Sequence, residues 1–189
     1  MKHVTIAFGA LIFFLVIMVG YVIGGINRAH GLAEDVSAMW AEVENSLQRR
    51  FDLIPNLVET VKGYASHEKE VFTALAEARK GYSGAGSPGQ KAEAAQRYES
   101  ALSRLLVIVE NYPDLKANQS FLGLQAELAG TENRIAVARR RYNLEVKVLN
   151  VFCRRFPSRF FAGRAGVEPA EYFEVAEEAK AVPKVKFNE

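Results

Sequence analysis

From Val4 to Asn27 the chain runs 24 residues without a charged side chain, and nothing else in it restricts folding so strongly. As a helix this stretch is about 36 Å long, enough to cross a hydrocarbon core of roughly 30 Å. The competing reading is a signal peptide cleaved near the small residues Ala29 and Gly31, but the apolar core of such a peptide is usually only about 7–15 residues long. The stretch therefore reads as an uncleaved transmembrane helix over residues 4–27 behind a tail of residues 1–3, making this a single-pass protein of a cell membrane. Lys2 and the α-amine stand against Arg28 alone, which tips the amino terminus inward and the body outside the cytoplasm. Gly20 and Gly24 form a small-residue pair of the spacing that lets two membrane helices approach closely.

Behind the anchor, helical spacing dominates. Val36, Trp40, Val43, Leu47, Ile54, Val58, Val61, Ala65, Phe72 and Leu75 fall at intervals of three and four, the seam of a coiled-coil-like helix. A second seam runs Ala95, Tyr98, Leu102, Leu105, Val109 and Tyr112 up to Pro113. A third runs Phe121, Leu124, Leu128, Ile135, Ala138, Tyr142, Leu149 and Phe152 up to Pro157. No segment alternates like a strand. The stretch GYSGAGSPGQK, residues 81–91, reads as a flexible turn. Pro55 predicts a kink or a helix restart capped by Asp52, because proline removes the bond to the Phe51 carbonyl. One helix over residues 36–82 would leave its 23-residue partner unable to cover it, so a turn near Gly63 is expected. The prediction is an all-α protein: a transmembrane helix, an antiparallel four-helix bundle of long helices over residues 28–156, and a tail over 157–189 with a short helix near 168–180.

Signatures of catalysis fail one by one. HEKEV, residues 67–71, begins like the zinc motif H-E-x-x-H but has Val71 where the second histidine belongs. The glycines of residues 81–89 lack the lysine and hydroxyl of a phosphate loop. Cys153 is the sole cysteine, sits near the end of a seam and reads as a packed thiol. A net charge of +2 gives no general reason to bind nucleic acid. No cofactor, metal or small-molecule substrate is indicated.

What remains is charge beside the seams. Arg49, Arg50, Asp52 and Glu59 lie on the first body helix, and Glu132, Arg134, Arg139, Arg140 and Arg141 on the last. Such residues form interhelical ion pairs or a polar docking surface. LQRRFDLIPNLVETVKGYASHEKEVF, then YPDLKANQSFLGLQAELAGTENRIAVARRRYN, and the closing YFE of residues 172–174 together resemble the LemA family of bacterial membrane proteins. The resemblance covers residues 27–174 and implies an amino-terminal membrane helix followed by an up-and-down four-helix bundle, with no established reaction. Its motif residues fall on Arg49, Arg50, Asp52, Pro55, Asn56 and Glu59, and on Glu132, Asn133, Arg134, Arg139, Tyr142 and Asn143. Ala29 and His30 stand where that pattern has Leu-Val. The expected function is a membrane-anchored, non-enzymatic helical adaptor that binds another protein or a copy of itself. The alternatives are an envelope enzyme with an acid/base pair among Asp52, Glu59 and Glu132, and a membrane-remodelling protein.

In FCRRFPSRFFAGR, residues 152–164, Arg154, Arg155, Arg159 and Arg164 alternate with Phe152, Phe156, Phe160 and Phe161. At 1.5 Å per residue the outward and returning helices nearly cancel in length, which brings this segment back to the membrane surface. It reads as a second, peripheral lipid contact or as a plug at the end of the bundle.

Overall fold

The computed structural model describes residues 2–174 and is all-α. Among the described residues six helices follow one another: α1 (Lys2–Lys62), α2 (Lys69–Gly84), α3 (Pro88–Val109), α4 (Pro113–Lys116), α5 (Gln119–Arg154) and α6 (Ser158–Ala165). Among the described residues there is no strand.

Anchor and first body helix are one element. α1 is 61 residues long and passes through the expected boundary at residue 28, where no proline or capping residue interrupts it. It also continues through Pro55 to Lys62, so no helix restarts there. Phe51, Ile54, Leu57 and Val61 are buried on both sides of the proline, and that packing holds the helix across the lost backbone bond. The expected turn near Gly63 is present. The Val61 carbonyl closes α1 by accepting from the amides of Tyr64 at 3.0 Å and Ala65 at 2.8 Å.

Three boundaries differ from expectation. The flexible turn of residues 81–91 shrinks to residues 85–87, because the Ser87 hydroxyl accepts from the Gln90 amide and Pro88 occupies the first turn of α3. α4 separates α3 from α5, and Asn118 caps α5 by accepting from the amides of Ser120 at 2.9 Å and Phe121 at 3.1 Å. The tail carries α6 at Ser158–Ala165, ahead of the segment of 168–180 where a helix is expected. Gly166 ends α6 at φ 68°, Pro169 follows, and residues 168–174 are irregular; residues 175–180 lie outside the described residues.

The chain forms two compact units, one of residues up to 41 with 141–170, the other of 42–140 with the described residues after 170. In the second, Phe51 meets Tyr82 of α2 at 4.4 Å and Tyr98 of α3 at 4.9 Å. Leu128 and Ile135 of α5 are buried with them, so α1, α2, α3 and α5 all contribute core side chains. Arg50 of α1 facing Glu132 of α5, and Tyr64 beside Asn118, set those two helices antiparallel. In the first unit Trp40 packs on Tyr142 at 5.2 Å, with Val36, Val146 and Leu149 buried. Every residue of the three predicted seams is buried or half-buried. Each large apolar side chain so removed from water contributes about 1.5–3 kcal/mol.

From Ile6 to Ile23, α1 is the opposite case: apart from half-buried Val22, its large apolar side chains are 44–69% exposed. This segment is long and apolar enough to cross a membrane.

Candidate functional site

Arg50 sits at an inward seam position of α1, between Leu47 and Ile54, and its side chain is only 6% exposed. Its Nη2 lies 2.6 Å from Glu99 Oε2 on α3, its Nη1 pairs with Glu132 Oε2 on α5, and its guanidinium stands 5.7 Å from the centre of the Tyr98 ring. Burial alone would lower the pKa of Arg50, but the two carboxylates outweigh it and hold the guanidinium above its ordinary value. Glu99 is pushed up by burial against the opposing pull of Arg50. Tyr98 is pushed up to about 12, again by burial first and against the opposing pull of Arg50, and its hydroxyl meets no partner in full hydrogen-bond geometry. Arg50 Nε is likewise unpaired.

Beside this centre lies a cavity of about 160 Å³ bounded by Leu47, Phe51, Gln96, Ile135, Arg139 and Phe173. The Arg139 guanidinium stacks over Phe173 at 4.8 Å, and burial lowers its pKa. Two arginines and two glutamates thus balance each other around an apolar space. That arrangement ties α1, α3 and α5 to one another, and no serine, threonine, cysteine or histidine lines the cavity.

The other singled-out residues do not converge there. Arg49, Asp52, Pro55, Asn56, Glu59, Asn133 and Arg134 are exposed. Asp52 accepts from Gln48 at 2.8 Å, and Glu59 pairs with Lys62 at 3.1 Å. Glu59 borders a depression with Pro55, Val58 and Phe72, and Glu132 borders the Arg50 cavity, so the two share no concave site. Among the described residues no group of three His, Cys, Asp or Glu could hold a metal ion. The Cys153 thiol points at the Val167 carbonyl, 3.8 Å away, and burial raises its pKa.

Several contributors escaped the sequence reading. Glu99, the second partner of Arg50, occupies no seam position. Asn150 is buried and holds the tail by a reciprocal pair, donating to the Ala170 carbonyl at 2.9 Å and accepting from its amide at 2.8 Å. Thr131 is 1% exposed, and its spacing between Leu128 and Ile135 was the available signal.

The first unit carries two outward features. Leu144, Val148 and Val151 are exposed at helical spacing on α5, on the side away from Tyr142, Val146 and Leu149. Near the end of α5, Phe156 is 83% and Phe160 58% exposed, and Arg154, Arg155, Arg159 and Arg164 are exposed around them. Phe161 leaves the expected lipid-contact set. It is 6% exposed, packs edge-on against Tyr21 at 5.2 Å, and covers Gly25 so closely that a Cβ there would clash with the ring.

A sequence model of the LemA family matches residues 39–187. Two magnetosome proteins of Paramagnetospirillum magneticum, MamQ 1 and MamQ 2, are each 25% identical over 169 residues, covering 76% of this chain and 62% of theirs. Magnetosome protein MamQ of Magnetospirillum gryphiswaldense is 26% identical over 166 residues, covering 74% of this chain and 61% of its own. The chain thus spans about three fifths of the length of these curated relatives.

Proposed function

The chain belongs to the LemA family, and on that premise we propose that it is a single-pass anchored adaptor of a bacterial cell membrane, with its body outside the cytoplasm. It works by docking another protein, or a second copy of itself, and performs no reaction. The observation that carries this reading is the apolar row of Leu144, Val148 and Val151, 53%, 45% and 41% exposed on α5. Single exposed apolar residues are ordinary, but three at helical spacing form the half-seam that a partner helix covers. The polar centre around buried Arg50 supports the same reading from the other side. Arg50, Glu99 and Glu132 are spent on one another inside the fold, and the carboxylates that would make an acid/base pair do not meet.

A photo-crosslinking residue at Val148 in native membranes, read by mass spectrometry, tests it. The expected result is a discrete protein adduct, another chain or this one, that weakens when Leu144 and Val151 are changed to Glu. Exposed Val107 on α3 serves as the control. Labelling of lipid alone, or a pattern the same as at Val107, would contradict the adaptor reading.

A further inference from the structure

Phe161 fixes the depth of α6. If a hydrocarbon core of about 30 Å is centred on residues 4–27, its edge falls near Gly25, because about 20 residues of helix span it. Phe161 lies over Gly25 and against Tyr21, the latter roughly 6 Å inside that edge. The buried face of α6 is therefore held by α1 where the bilayer ends and headgroups begin. What α6 and its approach turn outward at that depth is a mixture of rings and cations. Among the described residues after α5, Phe156 and Phe160 are the exposed phenylalanines, and Arg154, Arg155, Arg159 and Arg164 are exposed beside them in the chain. No acidic residue lies between Lys147 and Glu168.

We propose that this face is a second, peripheral contact with the same bilayer, seating Phe156 and Phe160 among the upper acyl chains and the arginines among anionic lipid phosphates. It rests on the reading of α1 as a membrane anchor. The occupant follows from depth and charge together. Large apolar rings beside the point where α1 leaves the hydrocarbon have lipid as their adjoining medium, and guanidinium groups pair with phosphate in bidentate fashion. Long arginine stems let the charge rise to the headgroups while the methylenes stay in the apolar layer. Phe161 takes no part in the lipid contact; it is the positioning residue that ties α6 to α1. The consequence is a two-point attachment, in which the anchor sets the depth and α6 fixes the rotation of the first unit about the membrane normal.

Depth-dependent quenching in the full-length protein tests this. In a Trp40→Phe background, tryptophan is placed singly at Phe156, Phe160 or Lys147, and the protein is reconstituted into vesicles of phosphatidylcholine and phosphatidylglycerol with brominated acyl chains. Lys147 is exposed on α5, about 10 Å of helix before Arg154, and serves as the water-facing reference. The Phe156→Trp and Phe160→Trp probes are expected to be quenched several-fold more strongly than the Lys147→Trp probe. Changing Arg154, Arg155 and Arg159 to Gln, or omitting phosphatidylglycerol, should lower that quenching. Equal quenching at all three positions, with the protein still resistant to alkaline carbonate extraction, would overturn the α6 contact and leave the anchor standing. Release of the protein by carbonate would overturn the anchor itself, and this contact with it. Strong quenching that ignores both the arginines and the anionic lipid would overturn the headgroup pairing.

Discussion

Two carboxylates serve one buried guanidinium, so removing them singly and together should give strongly non-additive losses. The side chain of Arg50 is 6% exposed, those of Glu99 and Glu132 47% and 50%. At the 2.6 Å separating Arg50 from Glu99, unit charges attract by about 6 kcal/mol at an effective dielectric of about 20 and by about 1.6 kcal/mol in water. With one partner buried and the other half in water, desolvation cancels much of this, leaving about 1–2 kcal/mol for an ion pair. Glu99→Gln should cost less than about 1 kcal/mol, because its raised pKa shows that burial already works against its charge. Glu132→Gln should cost about 1 kcal/mol, since Glu99 still answers Arg50. The double variant leaves the guanidinium buried with neither carboxylate, a situation that costs about 3–5 kcal/mol. Urea unfolding of the full-length protein in detergent, followed by circular dichroism, reads the three values against the native chain. A double variant that costs no more than its singles combined, or less than about 1 kcal/mol, would show that water reaches Arg50 and would refute the reasoning.

Glu99 also predicts a pH dependence. Its folded carboxyl binds a proton more readily than its ordinary value of 4.5 implies, so its contribution to stability is full below that value and is lost as pH rises through the folded one. As pH rises from about 4.5 the native Tm should therefore fall relative to that of Glu99→Gln, and the opposite slope would contradict the assignment. Tyr98→Phe should be neutral or stabilise by up to about 1 kcal/mol, because it deletes a buried hydroxyl that has no partner in full hydrogen-bond geometry; a loss above about 1 kcal/mol in the same urea assay would reveal a hydrogen bond. Gly25→Ala should displace Phe161 and speed maleimide alkylation of Cys153 beside Val167, whereas Gly24→Ala, with open space around it, should not. Leu128→Asp, at a position 4% exposed, should unfold or loosen the body, since burying a carboxylate costs several kcal/mol; an unchanged thermal midpoint would place residue 128 in solvent.

The apolar seams were legible because burial on a helix imposes a period that side chains report directly. Trp40, Leu47, Tyr98, Leu128 and Tyr142 all lie at covered positions. The turn near Gly63 could be argued from matching helix lengths. Local capping was less legible: α4 and the start of α3 depend on Asn118, Ser87 and Pro88 acting over one turn, on a scale finer than a seam resolves. Gly166 and Pro169 did mark the end of α6, but phenylalanines and arginines read as a surface feature concealed the helix before them. The Arg50 centre was half legible. Arg50 and Glu132 stood out as charges beside seams, but the third partner needs the placement of α3 against α1, which spacing within one helix does not contain. Asn150 shows the same limit, because its partner is backbone twenty residues away. Gly25 could be told from Gly20 and Gly24 only by the ring that covers it.

Docking at a membrane through α5 and α6 requires that α1 remain whole. Peptide mapping of the protein purified from alkaline-washed native membranes decides this most directly, because trypsin acting at Arg28 and Arg49 brackets the junction. An intact peptide of residues 29–49, accompanied by the apolar peptide of residues 3–28, is the predicted result. A peptide beginning at or near Leu32, in protein that carbonate releases from the membrane, would contradict it.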